Sequence, residues 1–220
     1  MEEQQSIQTE PEQKPKPKKK ISFWKKVLAL IPILFISTWA LAMWNPSDTT
    51  QSQSSNLIKI SGYDFYQLTD GTFGTYITAT DKKIPIAFRL DPRNASSINL
   101  DDGVVQKVLT SAKIYLTLDP NQSDLGKFAV AAAEISRITG LYSLQTVAAY
   151  TKDSNPISPN VPLRTCQDAT NQTAVILLET AEKDTGIYLD RNCIRVQGKT
   201  PDDIILAADK LGMNLLGIKL

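Results

Sequence analysis

The chain has 220 residues, 42% of them hydrophobic and 21% charged, with 24 Lys plus Arg against 23 Asp plus Glu, two Cys and no His. Without imidazole there is no Ser-His-Asp or Cys-His nucleophile pair, no HExxH zinc site, and no side chain that titrates near neutrality unperturbed. The length leaves room for one ordinary globular domain with appendages.

The net charge of +1 conceals an uneven distribution. Residues 1–26 carry seven Lys against four Glu, whereas the part from Asn45 onward has 17 basic and 19 acidic residues. A basic tail is therefore joined to a slightly acidic body. No nucleic-acid partner is expected, because phosphate neutralisation needs a clustered basic surface. Residues 1–22, rich in Glu, Gln, Lys and Pro, have almost nothing to bury and are expected to form a disordered, cytoplasmic basic tail.

The strongest signal lies in residues 23–46. From Val27 to Trp44 the chain runs 18 residues without a charge. As a helix this run would span roughly 27 Å, close to the hydrocarbon thickness of a bilayer. Trp24 precedes it and Trp39 and Trp44 lie near its far end, where indoles favour the headgroup region. Lys25 and Lys26 can extend their amines into the same region. The basic cluster on the N-terminal side orients the span with the N-terminus in the cytoplasm and the body outside, so the lipid bilayer is one partner and other envelope proteins are further candidates. The rival expectation is a cleaved signal peptide and a secreted protein, with Ala40-Leu41-Ala42 as the small-x-small site. Residues 47–56 are polar, rich in Ser, Thr and Gln, and read as a stalk.

The body, residues 57–220, opens as a β-meander: Leu57 to Ile60, Tyr63 to Leu68, a turn at Asp70-Gly71, Thr72 to Thr80, then Ile84 to Leu90 with Pro85 marking an edge or a strand start. Helix and strand periods then alternate. Asp101-Asp102 are placed to face the positive end of a helix over Val104 to Ala112, and Lys113 to Leu118 follows as a buried strand. Ser123 or Asp124 is the candidate cap of a helix that presents Leu125, Phe128, Ala132, Ile135 and Ile138 on one face and ends at Gly140. Thr146 to Tyr150 and Ala174 to Leu178 are strand candidates. Ile187 to Leu189 and Cys193 to Val196 form a predicted hairpin about Asp190-Arg191-Asn192. In the last helix Thr200 caps, Pro201 takes the first position, and Ile204, Ala208, Leu211 and Leu215 form a stripe. The expected class is α/β or α+β: a meander, then a mixed sheet with about three helices, preceded by one transmembrane helix.

Chemistry-bearing residues are sparse. Cys166 and Cys193 stand 27 positions apart, outside any CxxC pair. A disulfide and two unlinked thiols are both open; an oxidising compartment would favour the former. Asn94, Asn121 and Asn171 each open an Asn-x-Ser/Thr sequon and are possible N-glycosylation sites. The Asp101-Asp102 and Asp202-Asp203 pairs lack the alternating ligand spacing of a calcium loop, and helix capping accounts for them. Ser111 and Lys113 are near enough for a Ser-Lys dyad, but no supporting motif accompanies them. No catalytic residue, metal site or cofactor is assigned.

The Asp119-Pro120 strand end, the Cys166-Gln167-Asp168-Ala169-Thr170 segment, Asn192-Cys193-Ile194 and the terminal Ala207 to Ile218 together resemble uncharacterised single-pass membrane proteins from archaea. That resemblance implies an external domain in which paired Cys recur, and it brings no established activity. The resulting expectation is a signal-anchored membrane protein whose external domain binds or scaffolds. An envelope hydrolase using Ser-Lys or carboxylate chemistry is the alternative from another class.

Overall fold

The computed structural model describes residues 57–79, 81–154 and 160–220, all within the unit Ser52–Leu220. The predicted tail, membrane span and stalk lie outside the described residues. Among the described residues no helix is long and apolar enough to cross a membrane.

The fold is α+β. The meander forms as a four-stranded antiparallel sheet in the order β1-β2-β3-β4, with β1 Leu57–Ile60, β2 Tyr63–Gln67, β3 Phe73–Ala79 and β4 Lys82–Phe88. Pro85 sits in β4, an edge strand, where a missing N–H costs no ladder bond. The β2–β3 turn is fixed locally: Asp70 Oδ1 accepts from the N–H and the hydroxyl of Thr72, and Gly71 supplies a φ of 85°.

The second sheet has six strands in the order β5-β9-β10-β8-β6-β7, built from β5 Asn99–Leu100, β6 Lys113–Leu118, β7 Gln145–Tyr150, β8 Thr173–Thr180, β9 Gly186–Asp190 and β10 Cys193–Gly198. The strands β10, β8, β6 and β7 run parallel, and β9 pairs antiparallel with β10. The predicted hairpin is present, with Arg191 at a φ of 56° in its turn. The central strands β6 and β8 read KIYLTL and TAVILLET, the near-continuous apolar runs that parallel interior strands require.

Three helices complete the body: α1 Val104–Thr110, α2 Leu125–Leu141 and α3 Pro201–Leu215. Helices α2 and α3 pack against each other between the two sheets. On one side lie Ile114, Leu116, Ile176, Leu178, Ile194 and Val196 of the large sheet, and on the other Phe65, Ile86 and Phe88 of the small one. A Cβ on Gly212 of α3 would stand 3.2 Å from Ile138 of α2 and 3.5 Å from Phe88 of β4, which places α3 at the junction of all three layers. The sandwich explains why α3 is buried around most of its circumference, from Ile204 and Ile205 through Asp209 and Lys210 to Met213, rather than along the single predicted stripe.

Several local expectations are corrected. Asp101 does not cap α1, whose N-cap is Gly103 at a φ of 84° without a side-chain bond. Its carboxylate instead accepts from Asn99 Nδ2 and from the Leu189 N–H, fastening the edge of the large sheet. Asp124 is the N-cap of α2, but at a φ of 56° its side chain makes no capping bond. Gly140 does not end α2, which continues to Leu141. The start of α3 follows the sequence chemistry: Thr200 Oγ1 accepts from Asp203 N–H at 3.2 Å while Asp203 Oδ2 accepts from Thr200 N–H at 3.0 Å, and Pro201 holds the first turn.

Candidate binding surface

The face of the six-stranded sheet turned away from α2 and α3 carries the most chemistry. Strand register sorts its side chains into rows. Asp190, Cys193, Val175, Tyr115 and Val147 form one row, and Tyr188, Arg195, Leu177, Thr117 and Ala149 the next. Gly186, Gln197 and Glu179 form the third.

A strap crosses the lower part of this face. Residues 162–164 pair with the outer edge of β7 at Tyr150, through Tyr150 N–H to Pro162 O and Arg164 N–H to Tyr150 O. The chain then passes over Thr117, whose hydroxyl donates to Arg164 O at 2.8 Å. It reaches β10 at Cys166, where Cys166 and Cys193 lie at disulfide distance, their sulfurs 1.99 Å and their Cα atoms 5.1 Å apart. Thr165 caps the 3-10 turn Cys166–Asp168 through a reciprocal pair of bonds with Asp168, which presents Cys166 to β10. Beneath the strap, Lys113 Nζ and the Arg164 guanidinium stand 4.8 and 5.0 Å from the centroid of the Tyr115 ring. Lys113 first and Arg164 second hold the Tyr115 phenol below its ordinary range.

Beyond the strap no other described element crosses the face, whose side chains are partly exposed. Glu179 Oε1 accepts from Arg195 Nε at 2.6 Å and from Gln197 Nε2 at 2.7 Å, joining β8 to β10. The bond it donates to Glu179 raises Arg195 above its ordinary value despite partial desolvation. Tyr188 lies across Gly186, where any Cβ would fall 2.5 Å from its hydroxyl. Tyr188, Arg195, Gln197 and Leu177 are all half-buried, so they are held by neighbours yet still presented. Tyr and Arg side chains held in this way are the groups that anchor protein interfaces.

A cleft of about 600 Å³ opens elsewhere, between the β2–β3 turn and the first turns of α2 and α3. It holds both signs of charge, with Arg89 and Lys127 facing Asp70, Asp124 and Asp202. Its cations are already engaged: Lys127 Nζ pairs with Asp202 at 2.6 Å and Arg89 Nε with Glu134 at 2.8 Å. Behind it, Glu134 of α2 also accepts from Arg137, so that although burial would raise its carboxyl, the two guanidiniums hold it below the ordinary value. Asp209 of α3 is 1% exposed, and its carboxyl is pushed up to about 7, by burial first and by Glu134 repulsion as well, against a bond from the Leu90 N–H.

Of the residues singled out in the sequence, only the two Cys converge. Ser111 Oγ donates to Lys107 O at 2.7 Å, while Lys113 turns to Tyr115, so the two face different partners. Asn94 and Asn171 are exposed; Asn121 is exposed too, with its Nδ2 donating to Asp153 O at 3.1 Å. Among the described residues no group of three or more Cys, Asp or Glu side chains is placed to hold a metal ion. Sequence reasoning missed Arg195, Glu179 and Gln197. The i, i+2 alternation within β10, Cys193-x-Arg195-x-Gln197, is the signal that would have found Arg195 and Gln197, whereas Glu179 lies on β8 and joins them only through the strand register. Asp209 and Lys210 were missed because an Asp-Lys pair reads as a solvated helix face. No protein-family model matches the chain, and no curated protein or solved structure compared with it is similar to it.

Proposed function

We propose that this chain is a single-pass membrane-anchored protein of the cell envelope, N-terminus in the cytoplasm, whose body is displayed outside as a binding or scaffolding module. The helix-free end of the six-stranded sheet, with Tyr188, Arg195, Gln197 and Leu177, is the contact face. The observation that carries this reading is the arrangement of that face: a strap tied to β10 leaves one end of the sheet uncovered and rich in anchoring side chains. Two further features support the reading. The 18 uncharged residues from Val27 to Trp44 follow a basic cluster. The Cys pair at disulfide distance suits an oxidising compartment. In this reading the body works without cofactor or metal, and Asn94, Asn121 and Asn171 are accessible for glycosylation where a cell provides it.

Carbonate extraction is expected to leave the full-length chain in the membrane fraction; a soluble product beginning at Met43 would overturn the anchor. A photo-crosslinker at Arg195 in native membranes is expected to capture a discrete partner that the same group at Asp102 does not. Equal capture at the two positions would sink the assignment of this face.

A further inference from the structure

Among the described residues no element packs on the outer face of the small sheet. Its inward residues, Phe65, Ile77, Ile86 and Phe88, are buried against the helices. The outward ones in register are Leu57 opposite Tyr66, and Tyr76 opposite Pro85, with Lys59 and Lys83 beside them. Leu57 is 47% and Tyr76 51% exposed, Pro85 is exposed beside them, and Tyr66 is half-buried. The helices cover the inner side of this sheet, and the outer side mixes these apolar groups with Lys59, Asp64, Thr78 and Lys83.

We propose that this face rests on the headgroup region of the same membrane that carries the chain, an inference that rests on the anchor reading above. Position supplies the first argument. Leu57, where the described structure begins, lies on this face, and twelve residues separate it from Trp44 at the end of the predicted span. Twelve residues reach at most about 43 Å even when fully extended. The first strand therefore stays near the bilayer, while the open end of the large sheet lies across the helix layer from it. Chemistry supplies the second argument. Tyrosines with an apolar body and a polar tip, flanked by lysines that can extend their amines, are the composition of a membrane-water interface. On this face Lys59 pairs with Asp64 at 3.8 Å and Lys83 adds a further positive charge, so the apolar side chains dominate the contact and anionic lipid adds to it.

The full chain can be tested directly. The only two Cys are bonded to each other, so a cysteine introduced at Thr78→Cys or at Glu182→Cys accepts a polarity-sensitive fluorophore uniquely. Both positions are exposed, the first on the proposed face and the second beyond the end of β8. Each variant is reconstituted into vesicles of phosphatidylcholine and phosphatidylglycerol, at fewer than one chain per vesicle. The expected result is a blue shift and quenching by doxyl-labelled lipid for Thr78→Cys but not for Glu182→Cys, abolished when Tyr66→Ser and Tyr76→Ser are added. Vesicle-bound protein whose two labels behave alike would overturn the docking while leaving the anchor intact. A shift seen only at high chain density would assign the face to a second copy and overturn the proposal as well. Chain released by carbonate would overturn the anchor and the docking together.

Discussion

Asp209 Oδ2 accepts the Leu90 N–H at 2.9 Å, tying the middle of α3 to the end of the small sheet, while its other carboxylate oxygen is buried without a partner. Leu90 leaves β4 just before the cleft, so one side chain both satisfies a departing backbone donor and carries an unmet acceptor into the interior. A neutral carboxyl suits this position better than a charged one, because an unpaired oxyanion in low dielectric is costly.

Asp209 therefore makes stability fall as pH rises. Its folded value of about 7 lies above the value in the unfolded chain, so the folded state binds the extra proton. The stabilisation is complete below about pH 4, declines from there, and is lost once pH passes through about 7. Glu134 is depressed by Arg89 and Arg137, so its contribution is lost in the opposite direction, at acid pH, and urea midpoints between about pH 5 and pH 8 isolate Asp209. Asp209→Asn retains an acceptor for the Leu90 N–H and is expected to flatten that slope, gaining up to a few kcal/mol over the native chain at pH 8 relative to pH 5. Parallel slopes for the two proteins would refute the account.

Gly198 ends β10, and a Cβ there would fall 2.4 Å from the backbone nitrogen of Ile204 in the first turn of α3. Backbone cannot swing aside as a side chain can, so Gly198→Ala is expected to cost about 2 to 3 kcal/mol in chemical denaturation. Gly126, in the first turn of α2, has nothing within 4 Å of its would-be Cβ. Gly126→Ala should be neutral or stabilising by up to about 1 kcal/mol. Like signs for the two substitutions would refute the packing argument.

Joining Cys166 to Cys193 closes a loop of 27 residues containing β8 and β9. Loop-closure entropy gives such a link about 3 to 4 kcal/mol, or roughly 10 °C in melting temperature for a body of this size. Reduction, or Cys166→Ser with Cys193→Ser, is expected to lower the melting temperature by that order and to free the strap from β10. The strap's pairing with Tyr150 should survive, because its bonds are to β7 backbone. Hydrogen exchange at Arg164 and Tyr150 checks this: protection lost to the same extent as at Gln167 would show that the strap detaches as a whole. Mass shift on alkylation without prior reduction would show that the thiols are free.

Local chemistry made much of the fold legible. The Thr200-Pro201-Asp202-Asp203 run starts α3 because the cap donors and acceptors lie within three residues. The four meander strands and the β9–β10 hairpin follow from alternation and turn residues. The two-residue β5 was invisible, since Asn99–Leu100 is too short to show a period and exists only through its pairing with β9. Asp101 fits a helix cap by sequence position and serves a strand edge instead, because its partner, Leu189, lies 88 residues away.

By itself, then, the sequence determined where the last helix begins, which strands alternate, and that an uncharged run precedes the body, while it left the pairing of the two Cys open. Those properties are written in contacts of a few residues or in composition. Only the tertiary structure decided that β10 inserts between β9 and β8, that α2 and α3 are gripped by sheets on both sides, and that Arg195, Glu179 and Gln197 share a face with the strap. Strand order and helix burial arise from which apolar surfaces meet across long stretches of chain. That choice belongs to the packed whole, and it buried Asp209 while leaving the outer face of the meander bare.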